Sequence, residues 1–319
     1  MPDVFSFPST DRPGRIREAL LRTVAYFDAI DYAPTWAEVS AWVEWSGAQG
    51  FDQLAVPTAE ELVVARDALV GERKLESAFG RVALQGRLAV LSALVLDRMR
   101  VVPRKFRRAK RVARWLACFR SVRFVALVNT TALSHARDRA DLDFFVITSH
   151  GHIWTTRLFS AGSYRFLGRL ANAEEIPDAI CLSYFISDAS LDLGSHMLVG
   201  DDPYFRYWFL SMMPLYDDGI AQQLWAANGQ ILAKHPRAMP WQISSDVCVT
   251  PPRVRIPRTP STEAWARKIQ HRWFPAQIRD RMNQDQAVIV SDEALKFHVD
   301  DAREVFKQRY EERLETLGL

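Results

Sequence analysis

The sequence predicts an α/β (α+β) chain: a mixed β-sheet with flanking helices, preceded by a small helical module and followed by a helical region. Three observations lead there. Apolar runs rich in β-branched and aromatic residues, at 122–128, 141–148 and 179–187, alternate with segments of helical character, the pattern of a sheet covered by helices. Upstream, two Thr-x-x-Glu capping boxes and a Gly-centred hairpin pattern mark helices followed by a pair of strands. Downstream of residue 200, apolar and charged stretches read as helices around one proline-rich interruption.

Taken in order, residues 1–14 read as a loose lead-in. Residues 16–30 carry Ile16, Leu20 and Phe27 on one helical stripe. Thr35–Glu38 opens a second helix, a loop with Gly47 and Gly50 follows, and Thr58–Glu61 opens a third that ends near Gly71. The hairpin pattern has Gly80 in its turn. Three helices followed by a two-stranded wing is the order of a winged helix-turn-helix, so residues 15–86 are assigned as a winged-helix-like module. Its third helix offers Glu60, Glu61 and Asp67 against Arg66, a balance that repels phosphates. Nucleic acid is therefore a disfavoured partner, and a packing or interaction role is preferred. Two further helices, at 85–99 and 103–119, lead into the strands. Residues 87–200 are taken as the core with its preceding helices, and 201–319 as a helical C-terminal region with helices at 204–215, 220–227, 262–283 and 291–317.

Composition narrows the class. The 319 residues suggest two or three domains, at ~100–200 residues each. A hydrophobic share of 48% with 25% charged residues fills an ordinary globular core. No apolar run approaches the ~20 residues that span a bilayer, so no membrane partner is expected. The N-terminus lacks a basic segment followed by an apolar one, so no secretory signal is read. Cys118, Cys181 and Cys248 are scattered, with neither a disulfide framework nor metal-ligand spacing. A cytoplasmic location is the expectation. The net charge of +3 is mild but uneven, with eleven Lys or Arg and no acid between Arg98 and Arg123. That stretch reads either as a solvated face or as a phosphate-attracting ridge. Ser-His-Asp order, His-Glu-x-x-His and a Walker-type loop are all missing, which sets aside the hydrolases and NTPases they mark.

The chemistry-bearing stretch runs from Val122 to Thr148. Asp141-Leu-Asp143 opens the second strand, and a period of two places both carboxylates on one face at neighbouring pleats. Two carboxylates so held can share divalent cations. Asn129-Thr130 stands at the turn after the first strand, Gly151-His-Ile-Trp154 with Arg157 follows the second, and Leu295-Lys-Phe-His298 with Asp301 and Arg303 lies near the C-terminus. On these residues the chain resembles the DNA polymerase beta-type nucleotidyltransferase superfamily. Within it, the chain is most similar to uncharacterised bacterial nucleotidyltransferase-domain proteins with a winged-helix-like N-terminus.

The resemblance implies a mixed nucleotidyltransferase sheet and transfer of a nucleoside monophosphate from an NTP to an acceptor it does not specify. The cofactor implied is Mg²⁺, with Mn²⁺ as the alternative, because two ions ~3.5–4 Å apart stabilise the attacking and leaving oxygens of an in-line displacement. Asp141 and Asp143 are then catalytic and metal-binding. Asn129, Thr130 and Thr131 would meet the phosphates, and Arg157 could pair with one. Two departures stand out. Asn129 replaces a glycine of the family signature, and the 179–187 strand lacks the third carboxylate, with Cys181 or Ser183 in its place. Three outcomes stay open: a two-carboxylate site, completion by Asp188 or Asp301, or a catalytically inactive module that binds nucleotide, protein or nucleic acid. Solvated His135 and a buried network of His298, Asp301 and Arg303 are the preferred readings of those residues.

Overall fold

Thr35 and Thr58 each accept a hydrogen bond from the N–H of a glutamate three residues on, and Glu38 and Glu61 turn back to the threonine N–H groups. These boxes start α2 (Trp36–Ala41) and α3 (Ala59–Gly71), after α1 (Arg12–Ala29). In this computed structural model the described residues are 11–45, 55–171, 176–258 and 260–319. Most of the lead-in, the loop with Gly47 and Gly50, and part of the loop before residue 178 lie outside them. β1 (Leu75–Ala78) and β2 (Arg81–Leu84) pair antiparallel. Phe79 and Gly80 join them with φ of 53° and 73°, the double left-handed turn that a two-residue hairpin requires. Leu20, Val39, Leu62, Leu69 and Val82 form this module's core. Helices and hairpin thus follow the expected order.

The central sheet, by contrast, is larger than the sequence suggests. α4 (Leu88–Met99) and α5 (Val102–Leu116) lead to β3 (Val122–Leu127), the short α6 (Asn129–Ala132), β4 (Leu142–Thr148), α7 (Ile153–Phe166) and β5 (Ile180–Ser187). The expected helical region 201–319 then adds strands as well as helices. α8 (Pro203–Leu210) stops early, and β6 (Met213–Asp217) pairs with β3. α9 (Ala221–Ala227) forms as expected and the short α10 (Gly229–Leu232) follows it, whereas the 262–283 helix divides at Pro275 into α11 (Glu263–Trp273) and α12 (Ala276–Arg281). In place of a helix from 291 stand β7 (Val288–Val290) and β8 (Ala294–Phe297), and only α13 (Arg303–Leu317) is helical there. The sheet order is β6-β3-β4-β5-β8-β7, with β4 parallel to β5 and the other neighbours antiparallel.

The physical reasons for those corrections are local. Pro214 cannot donate to a ladder, and it sits in an edge strand at a register shift, where that loss is tolerated. Val288-Ile-Val290 is a β-branched run, and Ser291 turns the chain by donating its hydroxyl to the Ala294 carbonyl and accepting the Ala294 N–H.

Alternation splits the sheet residues between two cores. Leu142, Phe144 and Val146 face α5, α7 and α11, whereas Phe145 and Ile147 face α8 and α9. α13 returns across the N-terminal module, where Arg313 donates to the buried Asp28 at 2.6 Å and Tyr310 donates to Glu44.

The basic stretch is only partly a solvated face. Lys105 is 1% exposed and sits 2.8 Å from Asp178, which also takes Arg104 at 2.9 Å. Asp178→Ala strands the buried Lys105 ammonium, and a loss of about 3–5 kcal/mol is expected in chemical denaturation. A loss below ~1 kcal/mol would mean that Ala140, whose carbonyl also accepts from Lys105, satisfies the charge on its own.

Candidate functional site

Asn129 has φ of +59°, a left-handed conformation that L side chains rarely adopt and that Asn tolerates best after Gly. Asn129 is thus a residue able to hold a turn that otherwise favours glycine. The side chain gains a function in exchange. Its Oδ1 accepts from the Tyr204 hydroxyl at 3.1 Å, which leaves the amide N–H₂ to hydrogen-bond the Asp143 carboxylate.

Asp141 and Asp143 line one cleft of about 500 Å³, with Asn129, Tyr204 and Ser183 among its walls. Both carboxylates act on the Cys181 thiol, whose pKa is pushed well up, first by burial and then by Asp143. Burial raises the Asp143 carboxyl above the ordinary aspartate range; its hydrogen bonds from Asn129 and Cys181, both neutral donors, oppose that rise without cancelling it.

β5 carries an extra residue opposite this point. Asp143 pairs with Cys181 but Phe145 pairs with Tyr184, a bulge after which Tyr184 joins Cys181 and Ser183, already on one face by alternation, in lining the cleft. A neutral chain fills the expected third-carboxylate position: Cys181 Sγ lies 3.1 Å from Ser183 Oγ, and Ser183 Oγ lies 3.1 Å from His298 Nε2. Burial, with help from Lys296, holds His298 down at about 3, so this imidazole is neutral.

Of the two substitutes considered for that carboxylate, Asp188 is placed at the far end of the sheet. It lies seven residues along β5 from Cys181, ~20 Å at the strand rise, and pairs with Arg123 at 3.0 Å. Asp301 does line the cleft, but Arg303 holds it at 2.6 Å. Arg303 reaches on to Asp202 at 3.0 Å, and both are buried, so these residues are the polar network expected at the start of the C-terminal helix. Among the described residues no group of three His, Cys, Asp or Glu side chains is arranged to hold a metal.

The remaining expected residues divide. Thr130 is exposed and borders a second cavity beside the cleft. Thr131 is buried and donates to the Asp141 carbonyl at 3.4 Å, fastening the turn to β4 instead of facing solvent. Arg157 does not line the cleft. It packs over the Phe297 ring at 4.3 Å and donates to Gln270 at 2.7 Å, among the α7 and α11 residues that cover the opposite face of the sheet. Burial lowers its pKa to about 10. His135 is buried, not solvated.

Two residues were missed. Tyr204 positions Asn129, and Lys296, 1% exposed, lines the cleft between the Tyr184 and Phe205 rings. Read as a strand, 294–298 would have put Lys296 and His298 on one face. Burial, then Arg303, lowers Lys296 to about 7.

The donor set fits a hard divalent cation in part. Asp141 and Asp143 supply carboxylate oxygens on one face, and a cation would restore the counter-charge that buried Asp143 lacks. The other ligand positions would fall to water and substrate oxygens. No family model matches the chain, and searches of curated proteins and of solved structures give no significant match. No helix among the described residues is long and apolar enough to cross a membrane.

Two predictions follow from these charges. The folded Asp143 carboxyl holds its proton more tightly than the unfolded one, so stability falls as pH rises through that interval. Asp143→Asn should melt higher than wild type at pH 8 without divalent cation, with the gap closing as pH falls; added Mg²⁺ or Mn²⁺ should raise the wild-type melting temperature selectively. A variant that melts lower at every pH would show the carboxylate to be stabilising. Lys296 has the opposite sign: the unfolded lysine keeps a proton that the folded one releases, so stability climbs with pH from about 7 toward 10.5. Lys296→Met should flatten that climb in urea denaturation at pH 6.5 and 9; an unchanged slope would place the titration elsewhere.

Proposed function

We propose that this chain is a nucleotidyltransferase that moves a nucleoside monophosphate from an NTP to an acceptor at the cleft of Asp141 and Asp143. The observation that supports the reading most is the pair itself: two carboxylates on one strand face, one of them desolvated, beside a left-handed turn whose Asn129 bonds the second carboxylate. Asp141 and Asp143 would hold Mg²⁺ or Mn²⁺, which supplies charge neutralisation at the phosphates. Asn129 fixes the Asp143 carboxylate in place, and Tyr204 fixes Asn129. Thr130, exposed at the same turn where it borders the adjoining cavity, would donate its hydroxyl to a phosphate oxygen. Lys296 offers a cation from the β8 wall. A cytoplasmic location belongs to the same proposal, since three separate free thiols suit a reducing compartment.

A second reading has its own support. The neutral Cys181–Ser183–His298 chain where the family places a carboxylate favours a module that binds a ligand without turning it over. Incubation with each labelled NTP, Mg²⁺ or Mn²⁺ and cell extract separates the two. Label transfer that drops at least ~100-fold in Asp141→Ala/Asp143→Ala is expected of the enzyme, about 2.7 kcal/mol of lost transition-state stabilisation. Equal labelling by both proteins, or none by either, would leave the binding module.

A further inference from the structure

Beside the carboxylate cleft lies a second cavity of about 320 Å³, which shares Asn129, Tyr204 and Trp208 with it as a common wall. α1, α8, α13 and the turn after α6 enclose it. Its charge is opposite to that of the cleft. Arg98, Arg137 and Arg309 border it, and among the described residues none of the three is ion-paired with a carboxylate. Elsewhere in the fold Arg87, Arg104, Arg123, Arg206, Arg303 and Arg313 each have one. Asp31, the acid that lines the cavity, already lies 3.2 Å from Arg87. Burial lowers Arg98 and the nearby Arg137 adds to that lowering, opposed in part by Asp31 and Asp97, while the Arg98 guanidinium donates to the His135 carbonyl at 3.2 Å.

His135 forms part of the wall. The ring is 0% exposed, and its Nε2 lies 2.8 Å from the Asp31 carbonyl, so that nitrogen carries the hydrogen. Burial, then Arg98, holds the imidazole at about 4, in the neutral form. Nδ1 is therefore an acceptor, and it is buried with no partner. That nitrogen is sealed behind the cavity wall, so the ring shapes the site without touching what occupies it. Tyr26, Tyr207 and Phe306 line the rest, giving apolar surface against which a ring can lie.

We propose that this cavity binds an organic phosphate, with its phosphate at Arg98, Arg137 and Arg309 and its organic part against Tyr26, Tyr207 and Phe306. The site stands on its own side chains, requires no divalent cation, and holds whether or not the carboxylates carry transfer. A nucleotide and a sugar phosphate share the required chemistry, and direct binding distinguishes them.

Calorimetry on the full chain in EDTA, with ADP, ribose 5-phosphate, pyrophosphate and inorganic phosphate as titrants, tests the assignment. At least one organic phosphate should saturate a single site more tightly than its inorganic counterpart, and ADP against ribose 5-phosphate identifies the class. Arg137→Gln and Arg309→Gln, both at exposed positions, should each weaken binding about ten-fold or more. Arg111→Gln removes the same charge from the exposed side of α5 and should leave binding unchanged. Asp141→Asn and Asp143→Asn should retain binding while abolishing any transfer, so failure of one proposal does not carry the other with it. The site is overturned if neither organic phosphate binds saturably in EDTA, if binding ignores Arg137 and Arg309, or if the inorganic counterparts bind as tightly.

Discussion

A carboxylate at the edge of a central strand is costly to desolvate, and Asp143 is held there by an amide and a thiol, with no cationic hydrogen-bond partner. Much of the surrounding structure exists to keep it in place. Asn129 must adopt a left-handed backbone to present its amide, Tyr204 on α8 must orient that amide, and Thr131 ties the turn to the strand. The parallel register of β4 and β5 then places Cys181 directly against the carboxylate. Such an arrangement stores unfavourable charge at one point of a well-packed sheet, the usual cost of a binding or reactive group.

Charge is sorted by place in this fold. Acids outnumber bases in the lining of the cleft, and arginines outnumber acids in the lining of the adjoining cavity. Asn129, Tyr204 and Trp208 stand between them. The wall of the second cavity is completed only because α1 and α13 pack on each other and onto α8. Ion pairs at buried Asp28 join α1 to α13 and to Arg87, and Glu44 joins the N-terminal module to Arg206 on α8. Through α1 the module thus forms one side of that pocket.

The elements that local signals describe well formed where the sequence put them. Capping boxes at Thr35 and Thr58, the Gly80 hairpin and the β-branched runs of β3, β4 and β5 all rest on interactions within a few residues. Errors fell in the C-terminal third, where the helices read at 204–215 and 291–317 run into residues that become strands by pairing with β3 and β5, and where the Val288–Val290 strand was not read at all. Pro214 and the Val288-Ile-Val290 run were the available warnings.

By itself, the sequence determined the pair at Asp141 and Asp143, because alternation along a strand requires no knowledge of neighbours. It also determined the turn at Asn129, because few residue types accept that backbone. Only the tertiary structure decided what surrounds them. It sent Arg157 to the opposite face, Asp188 to the far end of the sheet and Thr131 inward, and it brought Tyr204, Lys296 and His298 to the cleft from more than sixty residues away in the chain. Those outcomes depend on strand order, on a one-residue bulge in β5 and on where α8 and α13 dock, and long-range packing of that kind leaves no local pattern to read.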